Sequence, residues 1–145
     1  MAKLQRRSPE RIRKGGKTLT RSELMARVRS HENKSTELRL ITLLKKHGVT
    51  GWRRRYPLFG SPDFVFHRAR VAVFVDGSFW HGHPKFCRMP ASNRAYWLPK
   101  IRRNKLRDRQ VSRALKTLGW RVVRIWEHEL RGCGISCVER IRRLL

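Results

Sequence analysis

Acidic residues are scarce in this chain. Ten Asp and Glu stand against 36 Lys and Arg in 145 residues, a formal charge of +26. Cysteine is nearly absent as well: three thiols, an odd number, cannot close a disulfide framework and suit a reducing compartment. No run approaches the ~18 apolar residues needed to span a bilayer. The opening stretch MAKLQRRSPERIRKGGK has no apolar segment after its charges, so it does not read as a secretory signal. These absences set aside membrane-spanning and secreted classes, and a cytoplasmic location is expected.

What is present points to a polyanion. A cationic excess of this size exceeds what solubility needs, and nucleic acid is the first candidate partner. Hydrophobic residues make up 39% of the chain and include five Trp and six Phe, enough for one core. Residues 1–20 hold Arg6, Arg7, Arg11, Arg13, Lys14 and Lys17 around Gly15 and Gly16, the composition of a disordered basic arm. No repeat or second linker follows, so residues 21–145 are expected to form a single domain.

Within that domain, the stretch from Ser35 to Gly48 has helical spacing, with Leu38, Ile41 and Leu44 on one face. Ser35 or Thr36 is placed to cap it and Gly48 to stop it. Trp52 to Tyr56 reads as a strand ended by Pro57 and Gly60. Asp63 to Phe66 and Val71 to Val75 read as two more, joined by a short basic turn. The second of these is apolar throughout, as in a strand covered on both faces. Gly77 to Pro90 is loop, and a long helix is expected from about Arg94 to Leu118, with Pro99 awkward unless near its first turn. A strand over Arg121 to Trp126 and a terminal helix over Ile135 to Leu145 complete the order α-β-β-β-α-β-α. That order suggests an α/β sandwich around a mixed central sheet.

On so basic a chain each acid invites a reason. Glu10, Glu23, Glu32 and Glu139 sit in polar surroundings as surface charges, and Glu127 and Glu129 follow the last strand among arginines. Asp63 opens one apolar strand and Asp76 closes the next, Glu37 lies in the first turn of a helix, and Asp108 sits between Arg107 and Arg109. Phosphodiester cleavage has work for such groups. A divalent cation held by carboxylate oxygens polarises the phosphate and stabilises the leaving oxygen, while a histidine near neutrality handles the proton. Each acid also has a plain structural reading: Asp63 shaping a turn, Glu37 favoured by the helix dipole, Asp108 in an ion pair. Residue types alone leave a nuclease and a non-catalytic basic DNA-binding module both open.

Five ordered blocks narrow the choice: Ser61-Pro-Asp-Phe-Val65, Val75-Asp-Gly-Ser-Phe-Trp-His-Gly-His83, Tyr96-Trp-Leu-Pro-Lys-Ile101, Asn104-Lys-Leu-Arg-Asp-Arg109 and Leu118-Gly-Trp-Arg-Val-Val-Arg-Ile-Trp-Glu127. With Arg21-Ser-Glu-Leu-Met25 ahead of them, they resemble the very-short-patch repair (Vsr) endonucleases over about Arg21 to Leu130. The resemblance implies a restriction-endonuclease-like, PD-(D/E)xK fold. It also implies magnesium-dependent nicking of one strand of double-stranded DNA beside a T:G mismatch, by a monomer working on the prokaryotic nucleoid. A Vsr-like nuclease of homing or mobile-element type, cutting undamaged DNA, is the nearest alternative. Asp63 matches the metal-binding aspartate and Val75 the position whose backbone carbonyl joins it. His81 matches the histidine that works on the attacking water, Asp108 the supporting acid and Glu37 the helical glutamate.

The same resemblance gives the aromatics a role. Phe79, Trp80 and Trp97 match side chains that wedge into the DNA stack, and Met25 matches an apolar residue used from the N-terminal side. Unstacking costs less at a mismatch, so wedging favours damaged DNA. Two departures stand out. Asp76 replaces the histidine common before Gly77 in the family, as a further metal ligand or a different hydrogen-bonding group. The family's structural zinc site retains His83, while Ser78, Lys85 and His128 occupy places where Cys is usual. Cys87 and His128 are substitute ligands for it at best, so zinc is not expected. Cys133 and Cys137 lie beyond the match and read as local helix packing.

Overall fold

The computed structural model describes residues 36–145, all of which fall within one unit, Glu32–Leu145. The basic arm, the Arg21–Met25 block and Met25 itself lie outside the described residues.

Helix α1 occupies residues 36–46. Its inward face runs through Thr36, Leu40 and Leu44, the last two fully buried, whereas Leu38 is 57% exposed. The apolar residues of this segment lie on more than one face. The i, i+4 pair Leu40–Leu44 takes the core, and Leu38, half a turn away, is left outside. Gly48, at φ 67°, closes the helix as expected, with Val49 N–H donating back to the Leu44 carbonyl.

Strands β1 (Trp52–Arg53), β2 (Phe64–Phe66), β3 (Val71–Asp76) and β4 (Arg121–Trp126) form one sheet in the order β1-β2-β3-β4. The first two pairings are antiparallel and β3–β4 is parallel, so the sheet is mixed. β1 is shorter than its sequence suggests. Arg54 turns toward Glu37 and Arg55 adopts a left-handed conformation, which takes the chain out of the ladder. Parallel pairing requires a crossover, and helix α2 (Arg94–Thr117) supplies it. Pro99 lies inside α2 in its second turn, where it removes one i→i−4 donor close to the helix start. Two short helices follow β4: α3 (Glu127–Gly132) and α4 (Gly134–Arg142). α3 was not expected from composition. Its signal is Glu129, whose carboxylate reaches back to accept from the Trp126 amide at 2.8 Å, half of a capping box.

Side chains alternate across β3 and β4 and so build two cores. Val71, Val73, Val123 and Ile125 pack with Leu40, Leu44, Phe64, Leu130, Val138 and Ile141 on one side. Ala72 and Phe74 pack with Val111 and Leu115 of α2 on the other. Cys137 is buried in the first core and Cys133 is exposed. The result is a three-layer α/β/α sandwich whose β3 ends at Asp76, between the two helical layers. Among the described residues no helix is long and apolar enough to cross a membrane.

Candidate active site

Asp63 stands where β2 begins. Its amide donates to the Val73 carbonyl at 3.0 Å, and its Oδ2 accepts from the Val75 amide at 2.7 Å, so the side chain extends the β2–β3 ladder by one rung. Burial pushes the carboxyl up from its ordinary 3.8 to about 6. The Val75 hydrogen bond opposes this, and the neighbouring Glu37 and Asp76 carboxylates add to it. Glu37 comes from the first described turn of α1, meets Asp63 through a side-chain hydrogen bond, and is ion-paired with Arg54. Two carboxylates pressed together, one of them holding its proton unusually tightly, form a donor set that a divalent cation would relieve. Among the described residues no three His, Cys, Asp or Glu converge into a ready-made metal cage. Magnesium needs none, being held in many enzymes by one or two carboxylates with substrate phosphate and water completing its shell. Glu37 and Asp63 fit that kind of ion.

A second cluster faces α2. His81 lies in the loop after β3, where its amide donates to the Gly77 carbonyl. Its Nδ1 is 2.6 Å from Asp108 Oδ2, and since a carboxylate can only accept, Nδ1 carries the proton and Nε2 remains the basic nitrogen. Burial pulls the imidazole down, but the Asp108 hydrogen bond and the Asp76 and Asp108 charges outweigh it and leave its pKa raised. Asp108, although partly desolvated, is held below its ordinary value by His81 and Arg124. Asp76 is only 3% exposed, and both its oxygens accept from Arg124, at 2.6 Å from Nε and 2.9 Å from Nη2.

Gly82 explains how the His81 loop sits so close to α2. At φ 61° it occupies a conformation side chains rarely adopt, and a Cβ there would lie 2.7 Å from Ile101 Cγ2. Asn104 ties the same loop to the helix, its Nδ2 donating to the Trp80 carbonyl at 2.9 Å. Phe79, Trp80 and Trp97 form an edge-to-face triad with ring centroids 5.0, 5.3 and 5.6 Å apart. Trp97 is buried, while Phe79 and Trp80 are half-buried. Lys100 Nζ lies 5.3–5.5 Å from the rings of Trp80, Tyr96 and Trp97.

The residues at the family's zinc position do not fit a four-ligand site. His83 Nδ1 accepts from the Lys85 and Phe86 amides, His128 Nδ1 bonds the Ser78 hydroxyl, and Cys87 Sγ donates to the Phe79 carbonyl. The two imidazoles stack edge-to-face at 4.6 Å beside Phe86 and Trp126 instead of converging with a thiolate.

Sequence reasoning named Glu37, Asp63, His81 and Asp108 as one set through the resemblance, and the structure divides them into a Glu37–Asp63 and a His81–Asp108 pair. Sequence reasoning missed Arg124, Asn104 and Lys100. For Arg124 a signal existed: one cation in the middle of an otherwise apolar strand, Val-Val-Arg-Ile-Trp.

An α/β/α sandwich with an acid pair and an imidazole–carboxylate pair around the ends of adjacent strands has the layout of a restriction-endonuclease-like nuclease. Comparison with known proteins carries this further. Residues 17–87 match the family described as DNA mismatch endonuclease Vsr. The type II nicking enzyme V.XorIIP of Xanthomonas oryzae pv. oryzae is 39% identical over 141 residues, 97% of this chain and 96% of that protein. DNA mismatch endonuclease Vsr of Escherichia coli K12 is 39% identical over 114 residues, 78% of this chain and 72% of that protein. The type II nicking enzyme V.NaeI of Lentzea aerocolonigenes is 56% identical over 69 residues, 48% of this chain but only 42% of its own length. The chain belongs to the Vsr family of DNA endonucleases.

Proposed function

We propose that this endonuclease nicks one strand of double-stranded DNA beside a T:G mismatch, with Mg2+ as cofactor. The supporting observation is the 2.6 Å His81–Asp108 pair lying near the Glu37–Asp63 carboxylates through Asp76, whose Oδ1 is 3.7 Å from His81 Nδ1. Binding alone requires no such arrangement. Asp63 and Glu37 would hold the ion, with the Val75 carbonyl beside them. When bound, the ion polarises the scissile phosphate and stabilises charge on the leaving oxygen. His81, its Nδ1–H donating a hydrogen bond to Asp108, keeps Nε2 available to take a proton from the attacking water, and Asp108 stabilises the imidazolium that results.

Recognition falls to the aromatic triad. Trp80, with Phe79, is the side chain best placed to enter the stack, and buried Trp97 supports it from α2. A mismatched step is cheaper to open, so the wedge favours damaged duplex. The N-terminal arm, with Met25 beyond it, adds phosphate contacts that carry no sequence information. The enzyme acts as a monomer on nucleoid DNA in the cytoplasm.

The test is nicking of T:G and fully matched duplexes, side by side, with and without Mg2+. The expected result is metal-dependent cleavage of one strand of the T:G duplex, absent in Asp63→Asn. Equal nicking of both duplexes would favour a nuclease for undamaged DNA. Tight binding without nicking would mark a non-catalytic module.

A further inference from the structure

Arg124 joins the two acid clusters. It lies on the α2 side of β4, its register partner on β3 is Phe74, and its guanidinium lies 4.8 Å over the Phe74 ring. Each of its nitrogens is engaged. Nε and Nη2 bind the two oxygens of Asp76. Nη2 also meets Asp108 Oδ1 at 2.8 Å, and Nη1 donates to Ser112 Oγ and the Asp108 carbonyl at 3.3 and 3.4 Å.

Asp108 is therefore divided between two partners: Oδ1 to Arg124, Oδ2 to His81. With its Oδ1 held by Arg124 Nη2 and its backbone carbonyl by Nη1, Asp108 has little freedom to turn Oδ2, so the orientation of the His81 ring is set from β4. Asp76 is almost unexposed and has both its oxygens occupied by the same fork, although it stays close enough to Asp63 for its charge to be felt there. Without the guanidinium, Asp76 and Asp108 would face each other across the strand ends with only His81 to offset them.

We propose that Arg124 is the positioning residue of the nicking reaction: it fixes Asp108 so that His81 presents Nε2, and it claims Asp76 as its counter-ion, not as a metal ligand. This rests on the reading of His81 as the group that handles the water proton. A lysine cannot do the same, since a single ammonium lacks the planar fork that spans two carboxylates and a hydroxyl.

The experiment uses the full chain and two variants, Arg124→Lys and Asp76→Asn, with three measurements. These are Mg2+-dependent single-turnover nicking of a T:G duplex, affinity for that duplex, and the imidazole N–H resonances of the metal-free protein by NMR. In the wild type the His81 Nδ1–H should appear far downfield, the mark of a short bond to a carboxylate, and His81→Gln assigns it. Arg124→Lys should bind duplex within about threefold of wild type, nick on the order of 100-fold more slowly, and lose or broaden that resonance. Asp76→Asn keeps the Arg124–Asp108 link, so it should retain the resonance and nick within about tenfold of wild type.

Nicking at the wild-type rate in Arg124→Lys, with the resonance unchanged, would overturn the proposal. So would loss of nicking in Asp76→Asn with the resonance intact, since Asp76 would then act on the metal. If Arg124→Lys does not fold, Asp76→Asn still decides the second half of the claim. Arg124→Gln, which keeps a planar donor without the charge, replaces it for the first half: a retained resonance overturns the claim and a lost one supports it. If the wild type does not nick at all, the functional reading fails separately, and the metal-free resonance still tests the hold of Arg124 on His81.

Discussion

Asp63 carries a cost in the metal-free protein. Folding raises its carboxyl from 3.8 to about 6, so the folded chain binds this proton more tightly than the unfolded chain does. Stability from this group is full below about 4 and is lost as pH rises through about 6. At pH 8 the bare carboxylate is a strained feature of the fold. Asp63→Asn keeps an acceptor for the Val75 amide and removes the charge. It should raise metal-free stability at pH 8 by about 1–3 kcal/mol while nicking is lost, and the gain should vanish near pH 4. Thermal unfolding of both proteins at the two pH values, without metal, checks this. A variant that melts early at pH 8 would show the carboxylate to be stabilising.

Trp80 poses a different question at the same scale, because its ring both packs on Phe79 and Trp97 and stands half-exposed. If it wedges, Trp80→Ala should lose more affinity for T:G than for matched duplex, by about tenfold or more, since stacking one ring on a base is worth ~1–3 kcal/mol. A ring that serves only the core would instead cost ~3–5 kcal/mol in stability and leave the mismatch preference unchanged. Melting and binding to both duplexes, measured on the same variant, separate the two.

At the scale of elements, the site depends on how closely the His81 loop approaches α2. Gly82→Ala alters no chemical group, yet its new methyl would collide with Ile101 and strain the backbone one residue from His81. Nicking should fall at least tenfold while DNA affinity changes little, with stability down by about 1–3 kcal/mol. Unchanged single-turnover nicking would show that the loop adopts its working position only on DNA. Much of this level was legible in sequence. The runs Val71 to Val75 and Arg121 to Trp126, the Gly48 stop and the α2 crossover are local patterns, and local patterns are what periodicity reports. Failures came where distant contacts decided the outcome. Nothing local distinguishes Leu38, on the expected apolar face, from Leu40, which takes the core; α3 is a different case, since its Glu129–Trp126 capping pair is only three residues apart and is legible locally. The fork of Arg124 joins residues 48 and 16 positions apart, and no spacing rule finds it.

Across the whole molecule, charge sets how DNA is approached. Residues 1–17 carry Lys3, Arg6, Arg7, Arg11, Arg13, Lys14 and Lys17, seven of the chain's 36 Lys and Arg. Deleting residues 2–18 should weaken binding to matched and mismatched duplex equally and flatten the dependence of affinity on salt, because phosphate contacts release counterions whatever the sequence. Binding isotherms over a series of salt concentrations check this. A deletion that altered only the preference for T:G would give the arm a part in recognition.

The parallel pairing of β3 with β4 sets an order in time. Glu37, Asp63, His81 and Asp108 all precede β4 in the chain, yet the strand that carries Arg124 and pairs with β3 comes after them. On a ribosome, a growing chain therefore holds these groups before it has the strand and the α4 layer against which they are arranged. Non-local strand pairing of this kind is late by nature. The four groups thus reach their arrangement in the fold only once synthesis has passed β4.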